Sequence, residues 1–139
     1  MTQAMLHYIN SNVLREAGRL TYTVASVAPS TETDLFNSTG LVIWSGASDA
    51  TIYQDETVNF AFRAIHDALH LETRLGFSVD EEIEMGRIQA ARCTSDLMAE
   101  LTYCEVALQA SHFKTTGQFV QDQVQFTMSH LEKMGFFRK

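Results

Sequence analysis

The sequence predicts a mainly α protein with a small β element (α+β), in which three antiparallel helices form a core in the C-terminal two thirds. Three observations carry that prediction. Apolar residues recur at helical spacing from residue 57 onward. Alternating or short apolar runs, the signature of strands, fall before residue 45. The chain of 139 residues has the length of a single domain, divided by pattern into an N-terminal region 1–56 and a helical region 57–139.

Met5, Ile9 and Val13 lie at helical spacing, which predicts a short helix over residues 2–15 that Gly18 interrupts. Leu20, Tyr22, Val24 and Ser26 alternate with polar or small residues and read as a strand. Pro29 and the following Ser30-Thr31-Glu32-Thr33 read as a loop. Leu41-Val42-Ile43-Trp44 reads as a short buried strand or loop anchor, and residues 45–56 are polar and turn-rich. The two strands are expected to pair and to cover one side of the helices.

Val58, Phe62, Ile65 and Leu69 mark one face of a first long helix over 57–74, with Gly76 as the expected C-cap. Ser78 and Glu81 form an S-x-x-E capping box at the head of a second helix. The run Asp80-Glu81-Glu82 sits in its first turn, where the helix macrodipole favours anions. The apolar stripe Ile83, Gly86, Ala90, Leu97, Leu101, Cys104, Leu108 extends this helix to about 111 and makes its later half the most buried element. A third helix is expected over 116–134, before the tail Gly135-Phe136-Phe137-Arg138-Lys139. Short connections predict antiparallel neighbours. Cys93 and Cys104, placed on one helix about 16 Å apart, cannot form a disulfide and read as small buried hydrophobes.

Composition narrows the function. The net charge is −7, from 17 acids against 10 bases, with no Lys/Arg cluster, so direct nucleic-acid binding is not expected. An acidic surface suits solubility, and it also suits occupation of a basic groove on a protein partner. No segment reaches the length of a membrane span, and the start MTQAMLHYIN lacks a basic region followed by a long apolar run. The expectation is a cytoplasmic protein.

The chemistry-bearing pattern is a second stripe on the first long helix. Asn59, Arg63, His66 and His70 are spaced i, i+4, i+7, i+11 and line one face, with Asp67 beside it. Two histidines at i and i+4 direct their imidazoles to one point, the spacing by which one helix gives two ligands to a metal. If the two long helices are antiparallel, His70, about six residues before Gly76, faces Glu82, about six after it. The expected metal ligands are therefore His66, His70, Glu82 and Glu84, with Gln89 deeper on the same side, and the metal is Zn, Mn or Fe. The expected catalytic set is His66, Asp67 and Arg63: a metal-bound water is activated, and Asp67 or a second glutamate takes its proton. Arg63 is expected to pair with Asp67 or a glutamate of the second helix, or to receive an anionic ligand. A fixed hydrogen-bond network of histidines and carboxylates is the structural alternative. His7, His112 and His130 stand alone, Trp44 reads as a core anchor, and the phenylalanines read as core.

The segment Phe62-Arg63-Ala64-Ile65-His66-Asp67-Ala68-Leu69-His70, followed by Phe77, Glu82 and Gln89, resembles a motif of small tailed-bacteriophage proteins of unsettled activity. Ile43-Trp44-Ser45-Gly46 and Ile52-Tyr53 upstream, and Gly117-Gln118-Phe119 and Asp122-Gln123 downstream, extend the resemblance over roughly 41–126. Ala68 departs from it, where an aromatic is expected. The resemblance implies phage origin and location in the host cytoplasm. The His66-Asp67 doublet is also similar to that of HD-domain phosphohydrolases, but only His7 upstream and Asp96 or Asp122 downstream are available for their remaining ligands. Three functions follow from these readings: a metal-binding, hydrolase-like protein; an acidic stoichiometric inhibitor of a host or anti-phage defence protein, in the manner of anti-CRISPR proteins; or a structural phage protein.

Overall fold

The structure, a computed structural model, describes residues 1–137; Arg138 and Lys139 of the tail lie outside the described residues. It is mainly helical with one two-stranded sheet, as the sequence predicts. The chain divides after Arg74 into two units. This division falls at the end of the first long helix, not before its start at residue 57.

The first unit runs α1 (Gln3–Ala17), β1 (Tyr22–Ala25), α2 (Glu32–Phe36), β2 (Leu41–Trp44) and α3 (Glu56–Thr73). Thr2 caps α1 by accepting from the Met5 N–H at 3.1 Å, and Ile9, Val13 and Ala17 form its buried stripe. That stripe packs on α3, whose own apolar face presents Val58, Ala61, Phe62 and Leu69. This pairing explains the position of the division: the apolar face of α3 is covered from the N-terminal side. Asn10 of α1 donates to the Tyr53 carbonyl at 3.0 Å and so ties down the turn-rich segment before α3.

The strands pair in parallel, with Tyr22 opposite Leu41 and Ala25 opposite Trp44. Parallel pairing needs a crossover, and α2 lies within it. Its start falls inside the stretch read as loop: Thr31 accepts from the Asp34 N–H at 3.2 Å, a cap that outweighs the loop character of Pro29-Ser30. The buried Leu35 anchors it. Helix α3 starts on Asp55, which accepts from the Thr57 N–H at 2.8 Å. Its end corrects the sequence reading. Arg74, not Gly76, takes the left-handed cap conformation, at φ 62°, and returns its N–H to the His70 carbonyl at 2.8 Å. Its guanidinium lies over the Phe36 ring, 5.2 Å from the centroid.

The second unit holds α4 (Val79–Ala91), then α5 (Asp96–Tyr103), a π-helical segment (Cys104–Leu108) and α6 (Gln109–Thr116) as one continuous helix, and α7 (Gln123–Lys133). The expected capping box is present and extended. Ser78 accepts from the Glu81 N–H, while the Glu81 carboxylate receives the Ser78 hydroxyl at 2.7 Å and the Gly76 N–H at 2.5 Å. The single helix expected over 79–111 is broken at 92–95, because Ser95 starts a new helix by accepting from the Met98 N–H at 3.3 Å. The third helix begins at Gln123 rather than 116. Gly117, at φ 74°, terminates α6, and Asp122 caps α7 by accepting from the Gln125 N–H.

Helix α4 packs along the π segment and both its neighbours. Gly86 makes this approach close, since a Cβ there would lie 2.6 Å from the Ala107 Cβ. Both cysteines are free. The reason differs from the sequence argument, because the break at 92–95 puts them on separate helices. Cys93 contacts the Thr102 hydroxyl at 3.6 Å, and Cys104 is fully buried. No helix among the described residues is long and apolar enough to cross a membrane.

Candidate metal centre

The polar stripe of α3 exists, and its two halves differ. Asn59 is buried and donates to the Ser48 hydroxyl at 2.8 Å, which in turn donates to the Gly46 carbonyl at 3.2 Å. Arg63 extends the same clasp. Its guanidinium donates to the carbonyls of Trp44 at 2.6 Å, Gly46 at 2.5 Å and Ala47 at 3.3 Å, and it lies 5.3 Å from the Trp44 ring centroid. A cationic donor with a planar fork suits a ring of carbonyl oxygens as well as a carboxylate.

The loop pays a conformational cost to wrap the guanidinium. Ala47 sits at φ 53°, and the Trp44 ring lies so close to Gly46 that a Cβ there would be 2.1 Å from it. Burial lowers the guanidinium's pKa, and the charge of Asp67 one turn on works in the opposite direction. The expected hydrogen-bonded pairing of Arg63 with a carboxylate, or its projection toward an anionic ligand, is therefore replaced by backbone clamping. Arg63 is a positioning residue for the loop that precedes α3. Trp44 is half exposed, so it covers the guanidinium rather than anchoring the core.

The second half of the stripe is an imidazole pair. His66 and His70 place their Nε2 atoms 3.0 Å apart, with rings nearly perpendicular at 89° and centroids 4.6 Å apart. His70 is only 1 % exposed. Two imidazoles whose Nε2 atoms meet in this way have two uses. One nitrogen can donate its proton to the other's lone pair, or both can present lone pairs to a cation. Two metal–nitrogen bonds of about 2.0–2.1 Å at a tetrahedral angle place their nitrogens roughly 3.3 Å apart, so this spacing requires little movement. Helix α3 fixes the geometry: the histidines are one turn apart, and the His70 backbone is locked by the Arg74 cap.

The acids expected to complete the set lie at the start of α4, and their local roles distinguish them. Glu81 is engaged by Ser78 and Gly76. Glu84 has both oxygens on the Arg87 guanidinium, and this hydrogen-bonded pairing holds its carboxyl below the usual range. Glu82 lies between them in the first turn, half-buried. Gln89 is buried two turns further along.

Two histidines that stand alone in the sequence acquire partners in the second unit. His130 meets Glu100 at 2.9 Å, and His112 packs edge-on against Phe126, 5.8 Å between centroids. His130 and Glu100 are thirty residues apart and share no local motif, so no spacing rule could pair them. No family model, curated protein or solved structure matches the chain, so the chemistry of the site must be read from its own side chains.

Proposed function

We propose that this chain is a divalent-metal-binding protein in which His66, His70 and Glu82, each offering one ligand atom, hold the ion. The observation that carries this reading is the convergence of two Nε2 atoms at 3.0 Å on one turn of helix, one of them on a deeply buried ring. Glu82 is preferred to Glu84 because Arg87 occupies both oxygens of Glu84, and to Glu81 because the capping box uses its carboxylate. Two imidazoles and one carboxylate form a donor set suited to Zn, Mn or Fe, with coordination positions left for water or substrate.

The finer reading is hydrolytic. An ion in this set supplies Lewis acidity and lowers the pKa of a coordinated water. Asp67 follows His66 in H-D-x-x-H as the glutamate follows the first histidine in H-E-x-x-H helices, and on that analogy it would be the carboxylate that takes a proton from a water on such an ion. Arg63 stays outside this chemistry and fixes the loop beside it. The resemblance to small tailed-phage proteins belongs to this reading as the expected source of the chain.

The test is elemental analysis of the purified full chain after exhaustive dialysis. One equivalent of Zn, Mn or Fe that is lost in both His66→Ala and Glu82→Gln, with Glu84→Gln still loaded, supports the assignment. A metal-free protein that also fails to take up any of the three ions on titration overturns it. The net charge of −7 favours a second reading, an acidic inhibitor that fills a basic groove on a host protein. A stoichiometric complex formed equally well by the metal-free His66→Ala chain would select that reading.

A further inference from the structure

A groove of about 620 Å³ runs between α6 and α7 in the second unit, within the size range of small-molecule sites. Its apolar side chains are Leu108, at the end of the π segment, and Phe126 of α7, whose ring meets the His112 ring edge-on at 5.8 Å. Its polar side chains recur at one-turn spacing on both helices. Ser111 and Thr115 are four apart on α6, and Gln125, Ser129 and Lys133 are four apart on α7. Each helix thus turns a single face to the groove.

The hydrogen bonds already made separate the engaged groups from the rest. Thr115 and Thr116 donate their hydroxyls to the Ser111 and His112 carbonyls at 3.0 and 2.8 Å. Asp122, the acid that lines the groove among the described residues, caps α7 by accepting the Gln125 N–H at 3.0 Å. His130 is held by Glu100 at 2.9 Å. The Gln125 amide donates to the Ser129 oxygen at 2.9 Å, which leaves the Ser129 O–H to donate. Among the described residues, the side chains of Ser111, His112 and Lys133 make no hydrogen bond or ion pair. Lys133 differs in this from Arg19, Arg87 and Lys114, each of which pairs with a carboxylate. The α7 dipole accounts for a cation in its last turn, but not for the neutral donors that share the groove with it.

We propose that this groove binds a small phosphate monoester with an apolar or aromatic body. Lys133, an N–H of His112 and the hydroxyls of Ser111 and Ser129 receive the phosphate oxygens, and Leu108 and Phe126 cover the body. A phosphate offers three oxygens that accept, and a lysine meets it as a point charge. Four donors, two from each helix, suit those oxygens better than the two of a carboxylate. Asp122 sets the direction. It precedes Lys133 by eleven residues, roughly 16 Å along a helix axis, so its charge turns a phosphate toward the Lys133 end. The groove shares no residue with His66, His70 and Glu82, and this inference stands apart from the metal reading.

Amide-resolved NMR titration of the ¹⁵N-labelled full chain with phenyl phosphate tests the proposal. Saturable shifts should be confined to residues 108–116 and 125–133. Lys133 is exposed, so Lys133→Met keeps the fold, and it should weaken binding by about tenfold or more. Ser111→Ala should weaken it by about threefold. Inorganic phosphate and phenol, each carrying one half of the probe, should bind more weakly than phenyl phosphate. The His66→Ala chain should bind as the wild type does, which separates this site from the metal centre. Absence of saturable shifts, shifts centred on other residues, or equal affinity of Lys133→Met overturns the proposal. So does benzoate binding as tightly as phenyl phosphate, which would assign the groove to carboxylates. A hexaglutamate peptide that shifts these amides where phenyl phosphate does not would assign it to an acidic protein segment and overturn the proposal as well.

Discussion

The two ends of the polar stripe on α3 start from the same sequence pattern and have different physical outcomes. Asn59 and Arg63 are consumed by one loop, through Ser48 and the carbonyls of Trp44, Gly46 and Ala47. His66 and His70, one and two turns later, face each other across 3.0 Å. The difference lies in what each side chain can do. A guanidinium has donors and no acceptor, so the carbonyl oxygens of one loop suit it. Two neutral imidazoles have two lone pairs and two protons between them, so where both Nε2 atoms meet, either an N–H···N hydrogen bond or a shared cation satisfies them. Residues on one helix face therefore need not share a role, and here the stripe divides into a structural clasp and a histidine pair.

The strongest way to break this comparison is to remove the clasp. Arg63→Met keeps much of the stem but leaves three carbonyls without their donor, and it should lower unfolding stability by about 2–3 kcal/mol in chemical denaturation. Metal uptake by the folded variant should be unchanged. A large loss of metal affinity with intact stability would show that Arg63 belongs to the ligand half after all.

The ligand half is tested by His66→Ala, which should weaken metal binding by about a hundredfold or more in competition titration, roughly 2.7 kcal/mol. Thermal stability of the metal-free chain should change far less than in Arg63→Met. Equal destabilisation of the two metal-free variants would mean that the histidines, too, are structural.

A smaller effect is expected at the back of the clasp. Gly46→Ala drives a methyl group into the Trp44 ring and should cost about 1–2 kcal/mol, with a change in Trp44 fluorescence because this is the only tryptophan. The smallest belongs to Glu84→Gln. That carboxylate is exposed and pairs with Arg87, so neither the melting midpoint nor metal loading should move measurably.

The elements most legible in the sequence were those set by local periodicity and capping. Val58, Phe62 and Leu69 mark the buried face of α3, and Ser78 with Glu81 opens α4. Two helix starts were written in equally local terms and were overridden by the apparent continuity around them: Thr31 before α2, and Ser95 inside the long apolar stripe. The C-cap at Arg74 was hidden because glycine is the usual left-handed residue, and Gly76 stood two positions away. The pairing of His66 with His70 could be read because both lie on one helix. The clasp on Arg63 could not, since its acceptors are backbone carbonyls that every residue carries. The Glu100–His130 and Thr127–Glu105 contacts depend on which helices meet, and spacing along the chain carries no record of that.

The π segment at Cys104–Leu108 has a consequence for how this chain tolerates change in length. Such a segment behaves as an α-helix holding one residue more than its hydrogen-bond ladder needs. Deleting one residue there lets the ladder close and leaves the helix downstream close to its original phase, because the π turn had absorbed the extra residue. Ser111, His112 and Thr115 would keep their places in the groove wall. A single deletion in the regular helix that follows would instead turn every later residue of α6 by about 100°, the angle of one residue in an α-helix. The π segment is thus the point at which this long helix can lose a residue without changing the face that α6 presents.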